Sequence, residues 1–471
     1  MLPMNKLILI LAFSLSSALA VAQNVTVSDI CISGNSITAR SVILRELPFR
    51  TGDVLDSASL DNYLVEGREN LLNTSLFNYV TLTKHYSDGP DTAAVQGMKN
   101  VRIDVEVEER WYIWPIFELR FNDRNMTSWV KKMDWKRVTL YSGVNISNLF
   151  GLGHKMEIRG LFGWEKGFDI SYSKVALDRK RKTYLSGEAY AMFYKNADFI
   201  TVHNKLQHLS GDGFMKRSFG GKLSVTYRPQ IRWRAVATLS YDRSKVSEKL
   251  LEANPDYWGV KSAISRTASL EAFVCRDERD YIMYPTQGTY AALNAKFEES
   301  NGFDYTYGQL LLDLQYYKKL SERWFASSSL KISTSLASKY TFINSRAVGY
   351  EIANITGYEL YVIDGQHYIT QNNSFKYLIL PQKIVHLGQN PKWRKFNKPH
   401  FTVYGKLLFD FGYVFQQRSK KGDNSYPNSF LAGVGAGIDL VTYYDIVINV
   451  GYAVNSRGKG SMLFGFRAPI F

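Results

Sequence analysis

The chain has 471 residues, a formal net charge of +15, and 45% hydrophobic and 14% aromatic residues. A mean hydropathy of −0.22 is too low for a protein that crosses a membrane with a bundle of apolar helices. So large an excess of basic residues is typical of nucleic-acid-binding proteins, but the first residues indicate export from the cytoplasm. Nucleic acid is therefore excluded as a partner, and anionic lipid or an acidic protein remains to meet the positive charge.

Residues 1–22 have the pattern of a signal peptide. Lys6 precedes an apolar run over residues 7–19, and the small residues Ala20, Val21 and Ala22 follow. An uncleaved anchor helix is the alternative, but the run is short for a helix that must cross about 30 Å of hydrocarbon. We therefore expect cleavage after Ala22.

Residues 23–110 predict a small α+β domain with the order β-α-α-β-β. A first helix is expected to begin at Thr38, and the second helix has an apolar face made of Leu60, Tyr63, Leu64, Gly67 and Leu71. Strands are expected where apolar and polar side chains alternate, over residues 25–33, 79–86 and 101–107. A domain of this size can build a small core of its own.

Residues 111–471 alternate apolar and polar side chains over most of their length. The alternation is clearest at their start, where one face carries Trp111, Ile113, Pro115, Phe117, Leu119 and Phe121. Hydrocarbon offers no hydrogen-bond partner to a backbone N–H or C=O, so only helices and closed barrels can span a membrane. The pattern therefore predicts a mainly β protein, with a transmembrane antiparallel β-barrel in the outer membrane of a Gram-negative bacterium.

Turn residues divide this region into about sixteen strands, an even number as expected for bacterial barrels. The strands are predicted to begin near Trp111, Val138, Lys155, Phe168, Tyr184, Ser218, Ile231, Ser265, Thr289, Tyr305, Trp324, Asn372, Phe401, Phe430, Asp445 and Ser461. If the first strand rises from the periplasm, every second connection is a periplasmic turn. Two of these turns, residues 276–288 and 381–400, are longer than such turns usually are.

Proline predicts where the barrel is weakest. Of the twelve prolines, only Pro115 and Pro469 fall inside predicted strands, and these are the first and the last strand. Each lacks a backbone donor, so the seam between those strands is expected to hold fewer hydrogen bonds than other strand pairs. The seam residues are Trp111, Pro115, Phe121, Phe466, Pro469 and Phe471. The alternative is that each proline sits at a bulge or beyond the last paired residue.

Several segments of the first domain resemble a POTRA domain of the BamA/TamA outer-membrane assembly superfamily. They are Gly34-Asn35, Arg45-Glu46, Leu76-Phe77-Asn78-Tyr79-Val80 and Val105-Glu106-Val107-Glu108-Glu109-Arg110. The resemblance implies a domain that faces the periplasm and receives unfolded polypeptides or accessory subunits, including lipoproteins, by strand addition. A generic α+β spacer remains the alternative.

The barrel region is similar to the C-terminal, surface-antigen-type barrel of the same superfamily. Asp277 and Asp280, followed by Pro285 and Gly288, match an Asp-rich periplasmic turn that we expect to be architectural. Ile355-Thr356-Gly357-Tyr358-Glu359, followed by Asp364-Gly365, resembles the family's lumen-loop motif. In the family an arginine of this motif pairs with acidic residues of the barrel wall, but here Thr356 takes its place. The loop must therefore be fixed otherwise or be looser.

The resemblance implies a protein that inserts, assembles or translocates outer-membrane polypeptides, with the first and last strands parting to pair with a client strand. Outer-membrane lipid and unfolded clients are the expected partners. A polypeptide secretion pore of the two-partner type is one alternative, although that group usually has two POTRA domains. A passive channel or structural homologue without insertase activity is another. The sequence has no catalytic motif and no metal-ligand spacing, so we expect no enzyme activity, no cofactor and no metal.

Overall fold

The computed structural model describes residues 24–87, 99–121, 133, 135, 138–178, 180–350, 352–385, 399–417 and 424–467. The chain divides into two compact units, Met1–Glu109 and Arg110–Phe471. The predicted signal peptide, residues 1–22, lies outside the described residues. Within the described residues, no helix is both long enough and apolar enough to span a membrane.

The first unit is a four-stranded mixed sheet with two helices. Its elements are β1 (Asn24–Ser33), α1 (Arg40–Glu46), β2 (Val54–Asp56), α2 (Ser57–Asn73), β3 (Phe77–Ser87) and β4 (Lys99–Glu109). The strand order is β2-β1-β4-β3; β1 and β4 are parallel, and the other pairs are antiparallel. The predicted order lacked β2, because three residues are too few to show a period of two.

The core of this unit lies between α2 and the sheet. Leu60, Leu64, Gly67 and Leu71 are the buried residues of α2, which agrees with the predicted apolar face. A Cβ at Gly67 would lie 3.2 Å from Leu82 and 3.3 Å from Leu47, so glycine lets the helix approach its neighbours closely. On β4, Val101, Ile103, Val105 and Val107 are buried. Each such side chain contributes about 1.5–3 kcal/mol of burial energy.

Glu109 connects the end of β4 to the turn before α1. Its carboxylate accepts hydrogen bonds from the backbone N–H of Thr38 at 2.6 Å, the Thr38 hydroxyl at 2.6 Å and the Ser36 hydroxyl at 2.7 Å. Burial by itself raises the pKa of Glu109, but these donors outweigh it and hold the pKa below its usual value. The charged carboxylate therefore orders the turn that leads into α1.

We expect this unit to lose stability when the pH falls below about 4.5, the usual glutamate value. A lowered folded-state pKa gives a contribution that is complete above the unfolded-state pKa and is lost as the pH falls through the folded one. Hydrogen exchange at β4 of the full chain, corrected for intrinsic rates, measures the effect. Glu109→Gln should weaken protection at neutral pH and flatten its pH dependence, whereas Glu106→Gln, at an exposed position of the same strand, should do neither.

The second unit is a sixteen-stranded antiparallel barrel sheet, which confirms the predicted fold. Its strands before the long lumen loop are β5 (Ile113–Phe121), β6 (Val138–Leu149), β7 (His154–Gly163), β8 (Glu165–Ala176), β9 (Thr183–Tyr194), β12 (Lys216–Tyr227), β13 (Trp233–Val246), β14 (Ile264–Asp277), β15 (Gly288–Ser300), β16 (Tyr305–Lys319) and β17 (Trp324–Ala337). After that loop follow β20 (His367–Ile384), β21 (His400–Phe415), β22 (Phe430–Thr442), β23 (Ile446–Asn455) and β24 (Gly460–Arg467). All sixteen predicted strands are present, and the largest difference is at β20, which begins at His367 rather than near Asn372.

The connections predicted to be external contain structure of their own. One forms the hairpin β10 (Asn196–Val202) and β11 (Lys205–Ser210), and the next carries a short helix, α3 (Glu248–Ala253). The longest, between β17 and β20, contains a 3-10 turn at Ile343–Ser345 and the small pair β18 (Arg346–Val348) and β19 (Ile363–Asp364).

Proline use differs from the prediction in one strand. Pro381 lies inside β20, so Pro115 and Pro469 are not the only prolines in strands. The register of β20 with β21 is irregular between Leu380 and Lys383, and such a bulge tolerates a residue without an N–H. Pro115 stands opposite Val144 in the ladder of β5 and β6. Pro469 is outside the described residues.

The barrel sheet is apolar outside and polar inside. On β5, Phe117 is 71% exposed and Leu119 is 52% exposed, and on β24 Phe464 is 48% exposed. The polar residues of the inner face include Asp169, Asp410 and Asp439, all of which are buried. So many exposed large apolar side chains on one continuous face would be unfavourable in water, so this face suits contact with lipid.

Candidate functional site

The lumen loop is fixed to the barrel wall through Thr356. The backbone N–H and the hydroxyl of Thr356 both donate to Oδ2 of Asp410 on β21, at 3.0 and 2.6 Å. Asp410 also accepts from the side chain of Asn372 at 2.7 Å and the backbone of Asn373 at 3.0 Å. A threonine in the position of the family's arginine therefore still binds an acidic wall residue, with two hydrogen bonds in place of an ion pair.

Two glycines of β22, Gly433 and Gly435, leave room for the backbone of the loop. We call this contact area the seat of the loop. A Cβ on Gly433 would lie 1.7 Å from the carbonyl oxygen of Thr356, and one on Gly435 would lie 3.0 Å from the Thr356 methyl group. Gly357 has a positive φ of 86°, and its carbonyl accepts from the side chain of Asn455 on β23 at 2.9 Å. Glycine at these positions therefore lets the loop backbone touch the wall.

The same segment reaches the last strand of the barrel. The Tyr358 hydroxyl lies 3.1 Å from the hydroxyl of Ser456, and the Ser461 hydroxyl of β24 donates to the carboxylate of Glu359. The backbone N–H of Gly357 donates to Glu359 at 3.1 Å. Burial raises the pKa of Glu359 above its usual value. Residues 355–359 thus contact four consecutive strands, β21 to β24.

Ile355 and the other end of the motif belong to one buried cluster. Ile355, Tyr358 and Ile363 pack with Val348 of β18 and Val414 of β21. Asp364, at the end of β19, accepts from the Tyr350 hydroxyl at 2.5 Å, and burial raises the pKa of its carboxyl. The backbone N–H of Gly365 donates to Ser345 at 2.7 Å. These contacts fold the loop onto itself before it returns to β20.

Of the predicted seam residues, the structure describes those near the start of β5 and in β24. Trp111 and Phe466 carry exposed side chains, and Phe121 ends β5. Among the described residues the sheet order begins at β24 and ends at β5, with no ladder between Ile113–Phe121 and Gly460–Arg467. Pro469 and Phe471 lie outside the described residues, so a weak seam stays a prediction.

A buried ion pair links the start of β5 to the turn between β22 and β23, and sequence reasoning missed it. Arg110 donates to both carboxylate oxygens of Asp445, at 2.7 and 3.1 Å, and the Tyr281 hydroxyl donates to the same carboxylate. The ring of Tyr444 packs edge-on against Trp114, with centroids 5.0 Å apart. Tyr444 and Asp445 have positive φ, which is unusual for such residues. We call Arg110, Tyr281, Tyr444 and Asp445 the rim cluster.

The Asp-rich turn places Tyr281 in the rim cluster. Asp280 accepts from the backbone N–H of Thr286 at 3.0 Å and from the Thr286 hydroxyl, and Asp277 pairs with Arg279 at 2.6 Å. Gly288, with φ of 106°, begins β15 after Pro285 and leaves no room for a Cβ beside Glu278. The Tyr284 hydroxyl donates to Asp439 of β22 at 2.9 Å. This turn is long because it reaches across to β22 and to the β22–β23 turn.

These features define an outer-membrane β-barrel of sixteen strands with a small α+β domain before it and a long loop docked on its inner wall. The Omp85 superfamily domain matches residues 148–444, and the POTRA model, described as surface antigen variable number repeat, matches residues 25–110. The chain belongs to the Omp85 superfamily, a family of the Gram-negative outer membrane. The resemblance to the BamA/TamA superfamily is thereby confirmed.

A solved structure of BamA supports the fold. BamA from Haemophilus ducreyi lacking POTRA domains 1–3 is 14% identical, with a TM-score of 0.53 over 94% of this chain and 84% of that chain. CdiB from Acinetobacter baumannii is 12% identical, with a TM-score of 0.48 over 94% of this chain and 73% of that chain. No curated protein matches the chain. At these identities the likeness concerns the fold alone.

Gly433→Ala should detach the lumen loop from its seat. The new methyl group would overlap the carbonyl of Thr356, so the loop or β22 must shift, at a cost of about 1–3 kcal/mol. Hydrogen exchange at residues 355–359 of the purified protein should become faster. Gly405→Ala on β21 is the control, because its nearest neighbour is the end of the Ile379 side chain at 3.2 Å. Equal protection in both variants would contradict this account of the seat.

Proposed function

We propose that this protein inserts and assembles other outer-membrane polypeptides, with its POTRA domain in the periplasm. Membership of the Omp85 superfamily supports a role in handling polypeptides, and the single POTRA domain before the barrel supports a periplasmic receiving module. Unfolded outer-membrane polypeptides are the proposed clients. Periplasmic or lipoprotein subunits that bind the POTRA domain, and the surrounding lipid, are the other proposed partners.

The observation that carries the proposal is the docked lumen loop. A loop left loose by the loss of the family's arginine would favour a passive channel or a structural homologue. Instead Thr356 holds Asp410 with two hydrogen bonds, and Glu359 and Asn455 add contacts on β23 and β24. The loop therefore keeps its contacts with the last four strands, through hydrogen bonds in place of an ion pair. This supports the proposal that the protein is active.

The proposed reaction is an exchange of strand pairs. The strands β5 and β24 part, a client strand pairs with an edge that becomes available, and further client strands follow until the new barrel closes. Folding of the client supplies the free energy. Each backbone N–H or C=O of the client that forms a hydrogen bond is no longer unpaired in lipid, where an unpaired group is unfavourable. No nucleotide and no cofactor enters the reaction.

Before insertion, a client must first be bound in the periplasm and passed to the barrel. The sheet edges of the first unit support this step. In the described part of the chain, β3 forms a ladder on one side only, with β4, and β2 covers only three residues of β1. An extended peptide can add to such an edge through backbone hydrogen bonds. We propose β3 as the strand along which a client first pairs.

Depletion of the protein in its own bacterium tests the function. We expect the amounts of several other outer-membrane barrels to fall together when the envelope proteome is quantified. Loss of one secreted polypeptide with unchanged barrels would instead favour a secretion pore of the two-partner type. Unchanged amounts of both would remove the proposal. Purified protein in liposomes should also accelerate the folding of an unfolded barrel client.

Asp445→Asn should make the barrel open more readily at the start of β5. Arg110 would lose the negative charge of its partner in a buried setting, and breaking such a pair costs about 3–5 kcal/mol. We expect a lower temperature of unfolding in detergent and greater entry of large antibiotics into cells. Glu322→Gln is the matched control, because Glu322 pairs with Lys319 in an exposed turn. If both variants behave alike, the rim cluster does not restrain the barrel.

A further inference from the structure

A cavity of about 780 Å³ lies inside the barrel, and residues 355–359 are not among its lining residues. Its wall is formed by residues of strands between β5 and β20, by the hairpin β10–β11, and by lumen-loop residues that include Ile343, Asn344 and Arg346. The volume is in the range of sites that hold small molecules in proteins. Nothing in the proposed insertion reaction uses this cavity.

Two cations of the cavity wall have no carboxylate in ion-pair contact among the described residues. Lys216 of β12 and Arg346 of β18 both line it. In the described part of the chain, neither has a carboxylate oxygen within the 4.0 Å of an ion pair, whereas Lys222, on the same strand as Lys216, pairs with Glu188. What Lys216 and Arg346 do contact is aromatic: Lys216 lies over the ring of Tyr194, and Arg346 lies over Phe342 and Tyr350.

The nearby acids have other partners as well, although Asp242 attracts Lys216 and Asp364 attracts Arg346 from beyond ion-pair distance. Asp198 pairs with His208 across the hairpin, and Glu298 pairs with Lys296 at 2.7 Å. Asp242 accepts from the Tyr190 hydroxyl at 2.9 Å. Arg120, Lys216, Lys296 and Arg346 line the cavity together with Glu165 and Asp198, so basic side chains outnumber acidic ones on its wall. Buried cations are stabilised by an anion placed between them.

The rest of the lining suits a hydroxylated ring. Tyr257, Tyr307, Tyr350 and Tyr368 line the cavity, together with Gln309 and Asn344. Phenols and amides can donate to and accept from hydroxyl groups, and tyrosine faces can pack on a sugar ring. Cations with such neighbours fit a ligand that has an anionic group at one end and a polar ring at the other.

We propose that this cavity binds a small phosphorylated sugar, with Lys216 and Arg346 holding the phosphate. Arginine and lysine are the usual phosphate ligands, and arginine can bind two phosphate oxygens at once. The occupant comes from solution, because a volume of about 780 Å³ suits a sugar phosphate and is small for a lipid with its acyl chains. The site is independent of the insertion reaction, so either can fail without the other.

Isothermal titration of the full-length protein in detergent with glucose 1-phosphate tests the site. Glucose should show no binding at the same concentrations. Lys216→Gln and Arg346→Gln should each weaken binding about tenfold, as expected for the loss of one charge-assisted hydrogen bond. Lys222→Gln should bind like the wild type. Equal binding of glucose and glucose 1-phosphate, or no binding of either, overturns the proposal.

Two further measurements keep the test decisive. If a variant does not fold, as judged by its migration on gels before and after heating, the wild type alone is used, and glucose 1-phosphate but not glucose should raise its unfolding temperature. Competition by vesicles that contain lipid A distinguishes the source of the phosphate. No competition supports a soluble ligand, whereas displacement of glucose 1-phosphate by lipid A overturns the assignment to a soluble sugar.

Discussion

The structure depends on one constraint, the need of every backbone N–H and C=O in hydrocarbon for a hydrogen-bond partner. Sixteen antiparallel strands satisfy this constraint through hydrogen-bonded ladders between neighbouring strands. Their side chains then alternate between the lipid and the lumen. The same constraint makes the terminal strands β5 and β24 special, because in the described part of the chain each forms a ladder on one side only. It is also the reason why the proposed exchange of strands at that place needs no nucleotide.

The lumen loop shows how a contact with an acidic wall residue can be made when a family residue differs. An arginine would hold the acidic wall by charge, whereas Thr356 uses its hydroxyl and its own backbone N–H on Asp410. The shorter side chain brings the loop backbone close to the wall, and this is possible because Gly433 has no Cβ. The substitution and the glycine are thus one structural solution, although they are far apart in sequence.

Much of the fold could be predicted from sequence because it rests on local periodicity. The strands of the barrel follow from alternation and turn residues, and α2 follows from its apolar face. The short strand β2 could not be predicted, because Val54, Leu55 and Asp56 pair only through β1. The Arg110–Asp445 pair could not be predicted either, because its two residues are 335 positions apart in the sequence. The alternation predicts a strand that begins near Asp445, whereas residues 443–445 form a turn and the strand begins at Ile446.

The docking of residues 355–359 on β21 to β24 has a consequence for traffic through the interior. The segment contacts the wall at β21 to β24, whereas the cavity of about 780 Å³ is lined mostly by residues that precede it in the chain. Free space inside the barrel is therefore distributed unevenly. A solute that enters this space meets a wall on which basic side chains outnumber acidic ones.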